Sequence, residues 1–457
     1  MSQLKVKITF HGGTGLVTGS NFLVESLAGD GTKILIDCGL IQGTKKEEEL
    51  NWAPFPYYPE EITALIVTHA HLDHIGRVPK LVKDGFKGVI YSTPATKEIS
   101  DLSLADSVNL LTRQADRTGE DKLYEEADVH AALSLWQTHD YHQPFTIGPF
   151  SIVFRNSGHI LGSAMVELTI DSKKIIFTGD LGNSPSPILP DCEEITDADY
   201  LIMESVYGDR NHEGREDRRA RLEDVIEETM KRGGTLVIPA FSIERTQEIL
   251  FEIEQMIEHS RVPLVPVFLD SPLGIKVMAV YKKYLASLNQ AARAEEKHDG
   301  LFRFPNLHFT LSTEESKAII KANARKIIMA GSGMSTGGRI LHHEKAYLTD
   351  PKSTLLLVGY QTVGTLGRRL QDGVKKVRIL GEEINIKAAV ENISGYSGHK
   401  DSDHLLDFVH HTADMVKKVF VVMGEPKSSL FLVQRLRDYL GLTASAPVSG
   451  ESVELSW

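Results

Sequence analysis

Three histidines and one aspartate stand within six residues in the segment His69-Ala70-His71-Leu72-Asp73-His74. The apolar stretch 64–68 before it predicts a β-strand, and a helical pattern follows it. A loop that leaves a rigid strand can direct alternate side chains to different metal ions. Zn²⁺ accepts imidazole nitrogen and carboxylate oxygen as ligands. The segment therefore predicts a zinc site. The alternative is a polar turn with Asp73 as a helix cap, which does not need three histidines.

Two further segments place the same kinds of group at the ends of predicted strands. His159 lies in the segment 157–163, and Asp180 lies in the segment 177–182. Each signal alone is weak, because a histidine after a strand is more often structural and a Gly-Asp turn is common. Both segments follow the histidine cluster along the chain, and this order favours metal binding by His159 and Asp180. Asp37 closes another apolar strand and is better interpreted as a carboxylate that orients an imidazole, although a plain turn aspartate remains an alternative.

The elements that must position these residues change in character along the chain. Before about Gly208 the pattern predicts short strands separated by glycine turns, with a helix over Asp73–Lys83. Longer helices then alternate with apolar strands, which predicts a separate α/β unit with a parallel sheet. After about Gln371 short strands resume, one of them over Ile384–Glu391. We expect a first domain over 1–207, an insert over 208–375 and the rest of the first domain over 376–457.

The bulk composition is that of an ordinary globular protein, with 41% hydrophobic and 25% charged residues in 457. No apolar run reaches the length of about 18 residues that a membrane span needs, so we expect a cytoplasmic protein without a membrane partner. The two cysteines, Cys38 and Cys192, are too few for a disulfide framework. The net charge of −12 opposes nucleic-acid binding. However, the excess of acidic residues lies outside residues 206–375, so the middle of the chain differs in charge from the rest. The alternative is that this difference is chance variation.

The strand-end motifs together resemble, in order, the four signature motifs of the metallo-β-lactamase superfamily. The resemblance implies an α/β fold, an αββα sandwich with the metals at one edge of the sheets. It also implies a set of ligands: His69, His71 and His159 for one zinc ion, Asp73 and His74 for a second, and Asp180 as the bridge. The same fold serves lactams, thioesters and lactones, so the superfamily alone does not fix the substrate.

Two later motifs narrow the class of substrate. The segment 203–210 contains Glu204 and resembles the acidic motif that opens the inserted β-CASP domain of RNA-processing nucleases. The segment 393–401 contains His399 and resembles the histidine motif that follows the insert. The resemblance to this family, which includes cleavage and polyadenylation endonucleases, implies that the two residues pair near the scissile phosphate. The alternatives are a strand-end carboxylate and a loop histidine that serve structure only.

The insert carries four loop stretches that resemble parts of β-CASP domains, at 241–247, 270–273, 331–339 and 359–365. Glycine allows the backbone to approach a ligand closely, and amides and hydroxyls can hold a phosphate. The residues that we expect to bind substrate are Arg245, Ser332, Gly333 and Ser335. Without the family resemblance, flexible turns would be the default interpretation of these loops.

One position departs from the family pattern. The family's last motif usually places a metal-binding histidine before Gly-Glu, whereas this chain has Met423 before Gly424 and Glu425. A thioether is a soft, neutral ligand that suits copper(I) and is poor for Zn²⁺. We therefore expect one firmly held zinc ion and a weaker second site.

These residues predict a zinc-dependent ribonuclease that hydrolyses phosphodiester bonds of single-stranded RNA, mainly by internal cleavage through a metal-activated water. The catalytic candidates are Asp73, Glu204 and His399, with His399 protonating the leaving oxygen or holding the phosphate. Two alternatives remain open. A small-molecule hydrolase of the same superfamily does not explain the insert, and a catalytically silent RNA-binding subunit is favoured by Met423 but not by the intact histidine cluster. The sequence also leaves open a homodimer or an RNA-processing complex.

Overall fold

The computed structural model describes residues 6–119, 121–298 and 300–455. Its contacts divide the chain into two compact units. Unit 1 consists of Met1–Ser184, Asp191–Asn211 and His399–Trp457. Unit 2 consists of Pro185–Pro190 and His212–Gly398. The chain therefore enters unit 2 from unit 1 and returns to unit 1 at its end.

The first part of the chain supplies most of unit 1. Its strands are β1 (Val6–Phe10), β2 (Phe22–Ser26), β3 (Lys33–Ile36), β4 (Ala64–Ile66), β5 (Val89–Ser92), β6 (Trp136–Thr138), β7 (Phe145–Ile147), β8 (Phe150–Asn156), β9 (Ala164–Ile170), β10 (Lys173–Phe177) and β11 (Tyr200–Met203). Its α-helices are α1 (Lys45–Glu48), α2 (Leu72–Ile75), α3 (Val78–Lys83), α4 (Pro94–Thr118) and α5 (Glu126–Ser134).

The middle of the chain supplies unit 2. Its strands are β12 (Thr235–Pro239), β13 (Val267–Asp270), β14 (Leu307–Phe309), β15 (Lys326–Ala330), β16 (Thr354–Leu357), β17 (Lys376–Ile379), β18 (Glu382–Asn385) and β19 (Ala389–Asn392). Its α-helices are α6 (Arg215–Arg232), α7 (Arg245–Glu258), α8 (Pro272–Lys283), α9 (Gln290–His298), α10 (Thr313–Ile319), α11 (Ile340–Tyr347) and α12 (Leu366–Gln371).

The end of the chain completes unit 1. It contains β20 (Lys418–Val421), β21 (Ala444–Ser445), β22 (Ser452–Leu455), α13 (Ser402–His410) and α14 (Pro426–Leu440). Unit 1 has two seven-stranded sheets, with orders β22-β1-β2-β3-β4-β5-β6 and β21-β20-β11-β10-β9-β8-β7. Each sheet thus takes strands from both ends of the chain.

The two sheets of unit 1 share one hydrophobic core. Phe10 and Ile36 of the first sheet belong to the same buried cluster as Phe154 and Phe177 of the second. Burial alternates along β8, as expected for a strand with one face in the core. Helices α13 and α14 pack on the other face of the second sheet through a separate buried cluster. Helix α5 contacts both α3 and α4, and α4 contacts β6 of the first sheet. The predicted αββα sandwich is confirmed.

Unit 2 is built on a six-stranded parallel sheet with order β14-β13-β15-β12-β16-β19. Every residue of its central strands β12 and β15 is buried. Such continuous apolar strands are typical of parallel sheets that helices cover on both faces. Strands β17 and β18 form a separate hairpin. The predicted α/β insert is confirmed.

Three predicted boundaries differ from the structure. The helix predicted over Asp73–Lys83 is two helices, α2 and α3, with a break at Gly76. The Gly76 backbone is so close to that of Leu72 that a Cβ at position 76 would lie 2.5 Å from the Leu72 carbonyl oxygen. The strand predicted over Ile384–Glu391 is also two strands, β18 and β19, in different sheets. Unit 2 extends beyond the predicted limit at 375, because β19 pairs with β16. No helix in the described ranges is long and apolar enough to cross a membrane.

Candidate metal centre

The candidate ligands lie on loops that follow three strands of unit 1. His69, His71, Asp73 and His74 follow β4 and enter α2, whose N-cap is His71. His159 follows β8, and Asp180 follows β10. The strand ends bring together all six residues that the sequence singled out as metal ligands, in two groups that share Asp180.

The first group has the spacing of a tetrahedral site. Nδ1 of His71 lies 3.1 Å from Nε2 of His69 and 3.1 Å from Nε2 of His159. Oδ2 of Asp180 lies 3.5 Å from each of those Nε2 atoms. Ligands at about 2.0–2.1 Å from a tetrahedral zinc ion are about 3.3 Å from one another. The four side chains therefore match the edges of a zinc tetrahedron.

The second group consists of Asp73, His74 and Asp180, whose ligand atoms lie within 4.8 Å of one another. Nε2 of His74 lies 3.4 Å from Oδ1 of Asp180 and 3.9 Å from Oδ2 of Asp73. On the other side of the ring, Nδ1 of His74 donates to Oδ2 of Asp37 over 2.7 Å. That hydrogen bond fixes the tautomer, because it leaves the Nε2 lone pair directed at the carboxylates.

Asp37 is itself held by its neighbours. Its backbone has a left-handed φ of 60° at the end of β3. Its Oδ1 accepts from the Thr68 amide over 2.8 Å, and its Oδ2 accepts from the Thr68 hydroxyl over 2.9 Å and from the Ser20 hydroxyl over 3.1 Å. The interpretation of Asp37 as an orienting carboxylate agrees with this geometry. Thr68 and Ser20 were not predicted from the sequence, although Thr68 directly precedes the histidine cluster.

The turn that presents His159 is organised by Ser163. The Ser163 Oγ accepts from the amide of His159 over 3.0 Å and from the hydroxyl of Ser157 over 2.9 Å. The turn that presents Asp180 depends on Gly179, where φ is 53° and a Cβ would lie 2.8 Å from Cβ of Thr68. The backbone at Gly179 thus lies against the side chain of Thr68, which precedes the loop that carries His69.

Glu204 and His399 form a pair beside the metal ligands. Nδ1 of His399 lies 3.2 Å from Oε1 of Glu204 and 3.9 Å from Oδ2 of Asp180. The same Oε1 accepts from the amide of Leu181 over 2.6 Å, and Lys400 donates its amide to the Leu181 carbonyl over 2.9 Å. The segment after Asp180 therefore holds both members of the pair in place. Residues 204 and 399 are far apart in the sequence, and the fold brings them together as the motifs predicted.

Burial and the neighbouring charges determine the pKa values in the site. Burial raises the pKa of Asp73 to about 6. Burial alone would lower the pKa of His399, but the carboxylates of Glu204 and Asp180 outweigh it and raise this pKa to about 9. Burial alone would raise the pKa of Asp180, but His74 and His399 outweigh it and hold this pKa well below its usual range.

The electrostatics of the second group favour a cation. Burial would lower the pKa of His74, but Asp180 and Asp37 raise it well above its usual value. Among the described residues, Nε2 of His74 and Oδ1 of Asp180 have no hydrogen-bond partner, although both are buried. A metal ion between these atoms would satisfy both and would benefit from the same carboxylates. The residues therefore fit a metal centre.

Met423 lies in the hydrophobic core. It is buried and belongs to the cluster shared by the two sheets, which also contains Phe22 and Phe177. A Cβ built on Gly13 would lie 2.4 Å from the Met423 Sδ, so the thioether occupies the space beside that glycine. The thioether is thus part of the apolar packing between the sheets.

The predicted substrate-binding residues of unit 2 differ in accessibility. Gly333 is buried, whereas Ser332 is partly exposed and its hydroxyl bonds that of Thr336 over 3.0 Å. In contrast, Ser335 is buried and donates to Glu344. Arg245 is also buried, beside the carboxylate of Glu248. A phosphate contact by Arg245 would require this ion pair to open.

Two sheets between helices, with imidazoles and carboxylates grouped at the strand ends, define a metal-dependent hydrolase of the metallo-β-lactamase fold. Family comparison agrees with this class. The Metallo-beta-lactamase superfamily model matches residues 14–228, the Beta-Casp domain matches 246–370, and the Zn-dependent metallo-hydrolase RNA specificity domain matches 383–447.

Relatives that match nearly the whole chain identify the family more narrowly. The chain is 36% identical to "Ribonuclease TTHA0252" of Thermus thermophilus, over 98% of this chain and 100% of that protein. It is 32% identical to an "RNase J-like protein" of Methanocaldococcus jannaschii, over 97% and 99%. It is 33% identical to "Transcription termination factor FttA" of Methanosarcina mazei, over 98% and 72%. The chain therefore belongs to the β-CASP family of the metallo-β-lactamase superfamily.

A solved structure shows the same fold at low sequence identity. The crystal structure of a protein of unknown function from Enterococcus faecalis matches 99% of this chain and 100% of that chain with a TM-score of 0.55. The sequence identity of 13% limits this likeness to the fold.

Proposed function

We propose that this chain is a zinc-dependent ribonuclease that hydrolyses phosphodiester bonds of single-stranded RNA, mainly by internal cleavage. The observation that carries the proposal is the shared position of Asp180, which belongs to both metal-ligand groups and lies 3.9 Å from Nδ1 of His399. This arrangement supplies metal ligands and a proton donor at one place. Two relatives matched over almost their full length, one named a ribonuclease and the other an RNase J-like protein, support RNA as the substrate.

When bound by these ligands, zinc would lower the pKa of a water and would stabilise the charge that develops on phosphoryl oxygens. The chain's own residues bind the metal and orient the reacting groups. His69, His71 and His159 fix the first ligand group, and Asp37 holds His74 in the tautomer that can bind a metal. We assign Asp73 to the second group, where its carboxylate also orients the attacking water.

We assign His399 the role of general acid, with Glu204 as the residue that orients it. Glu204 accepts from Nδ1 over 3.2 Å, so this ring nitrogen is held away from the reacting phosphate. Nε2 can then donate to the oxygen that leaves or to a phosphoryl oxygen. A raised pKa keeps the imidazole protonated near neutral pH, as a general acid requires.

We further propose that the two metal positions are unequal. The first has three imidazoles and a carboxylate, a full tetrahedral set. The second has Asp73, His74 and the shared Asp180, and its further protein ligand is absent if Met423 keeps its place in the core. The second ion is therefore held more weakly.

In unit 2 we propose that the loop 331–339 contacts the RNA backbone. Ser332 is accessible in this loop, whereas Gly333 is buried. Ser335 holds the loop through its hydrogen bond to Glu344, and Arg245 stabilises the first turn of its own helix, α7, through Glu248 unless RNA opens that ion pair. A cytoplasmic location and a homodimer or RNA-processing complex accompany the proposal as predictions.

The test is cleavage of single-stranded RNA by the purified full chain, with the label either inside the RNA or at its 5′ end. We expect internal fragments that accumulate before mononucleotides, and no cleavage after a chelator has removed the metal. Mononucleotides released from the 5′ end from the start would contradict the internal mode. RNA that binds but is never cut at full zinc occupancy would favour the silent-subunit alternative, for which Met423 is the supporting observation.

A further inference from the structure

The outward face of helix α14 carries two neighbouring large apolar side chains. Leu430 is 60% exposed and Phe431 is 46% exposed. The opposite face of the helix is anchored in unit 1 through Leu432, Val433 and Leu436, which belong to a buried core cluster. The helix is therefore a rigid platform, and the exposure of Leu430 and Phe431 is not a result of poor anchoring.

Charged residues flank this apolar pair in a fixed order along the helix. Lys427 lies near the N-terminal end of α14 with an 86% exposed side chain, and Asp438 is exposed near the C-terminal end. At about 100° per residue, Lys427, Leu430, Phe431 and Asp438 share one face of the helix. Lys427 also contacts the largely buried carboxylate of Asp209 over 3.1 Å, and Arg210 lies 3.6 Å from the same carboxylate. Because the Lys427 side chain is 86% exposed, its ammonium group can contact a second carboxylate on a partner without leaving Asp209.

With a positive charge at one end and a negative charge at the other, this face is complementary to the same face of a second copy. We propose that the α14 face, defined as Lys427, Leu430, Phe431 and Asp438, is the centre of a two-fold interface with a second copy of this chain. Two α14 helices that pair antiparallel about residues 432 and 433 bring their Leu430 and Phe431 side chains together. Because Lys427 and Asp438 are equally distant from that centre, each Lys427 then faces the partner's Asp438. A two-fold interface requires such a self-complementary surface.

The size of the α14 face sets the strength of the expected association. One helix face supplies less than the area of about 800 Å² per partner that stable interfaces bury. We therefore expect a dimer with a dissociation constant on the order of micromolar, which forms and dissociates readily. The α14 face is separate from the metal ligands, so dimerisation does not rest on the proposed ribonuclease function.

The experiment is sedimentation velocity of the full chain over about 1–100 µM. We expect the wild type to change from monomer to dimer in this range. Phe431→Glu should raise the dissociation constant at least tenfold, since it places two carboxylates at the centre of the interface. The matched control is Leu264→Glu, which changes another exposed leucine, in unit 2, and should leave the dimer unchanged.

A charge exchange tests the antiparallel register directly. Lys427→Glu alone should weaken the dimer, because it places two acidic side chains opposite each other at both ends. Adding Asp438→Lys should restore it, because the opposite charges then face each other again. A wild type that stays monomeric at 100 µM would overturn the proposal. A dimer that survives Phe431→Glu would also overturn it. So would a double variant that dimerises no more strongly than Lys427→Glu alone.

Discussion

The hydrogen bond between Asp37 and His74 gives a sharp prediction about the second metal position. In Asp37→Asn, the amide oxygen can keep the bond from the Thr68 amide, which is 2.8 Å long in the wild type. The new NH₂ group then takes the place of Oδ2, where His74 donates over 2.7 Å. The NH₂ group is a donor, so His74 must accept at Nδ1 and carry its proton on Nε2. That tautomer has no Nε2 lone pair for a metal ion.

The expected magnitude follows from the role of such orienting groups. Loss of a carboxylate that orients a metal-binding histidine weakens metal binding by about 10–100-fold, or about 1.4–2.7 kcal/mol. Asp37→Asn should weaken binding of the second zinc ion by this amount and leave the first unchanged. Asp37→Ala should in addition lower the stability by about 1–3 kcal/mol, because it leaves the buried Thr68 amide without a partner.

The assay is zinc titration of the metal-depleted protein by calorimetry, with thermal unfolding of each variant. Ser20→Ala is the matched control, because it removes the 3.1 Å bond to Asp37 but keeps the bond to His74. We expect this control to bind both zinc ions like the wild type. Unchanged affinity for the second ion in Asp37→Asn would refute the tautomer argument.

Four further predictions concern the site and the loop. His71→Ala should lose zinc and RNA cleavage while its circular dichroism spectrum stays unchanged; retained cleavage would disprove the metal assignment. His399→Ala should reduce turnover by a factor on the order of 10²–10⁴ at constant zinc content, whereas lost zinc would make His399 a ligand. Met423→His should raise both zinc content and activity after dialysis. Two tightly held zinc ions per chain in the wild type would contradict the weak second position on which this prediction rests. Ser332→Ala should weaken RNA binding without changing the unfolding midpoint, whereas Arg245→Ala should lower that midpoint; the opposite pattern would exchange the two roles.

The grouping of the candidate ligands was predictable from the sequence because they lie on loops that follow strands. Strand ends are recognisable from apolar stretches, and the strand ends carrying His69, His159 and Asp180 meet at one place in the sandwich. The pair of Glu204 and His399 was predictable only through family motifs, since no local pattern shows that residues so distant in the chain are in contact.

The supporting interactions were not predictable, because they depend on spatial neighbours. Ser163 accepts three hydrogen bonds that shape the His159 turn, yet a serine after a glycine has no distinctive pattern. Burial of Arg245 depends on Glu248 in the next helical turn. The motif pattern aligned Met423 with a metal ligand, whereas the direction of its side chain depends on the space that Gly13 leaves in the core.

The most direct test of the central claim is RNA cleavage during stepwise zinc addition to the metal-depleted chain. Zinc content and the initial rate of cleavage of an internally labelled single-stranded RNA are measured on the same samples. We predict no cleavage without zinc, a rise in rate as the ligand groups around Asp180 fill, and no such rise in His71→Ala. Cleavage that continues at full rate in the metal-depleted wild type, or its absence at full zinc occupancy, would contradict the assignment as a zinc-dependent ribonuclease.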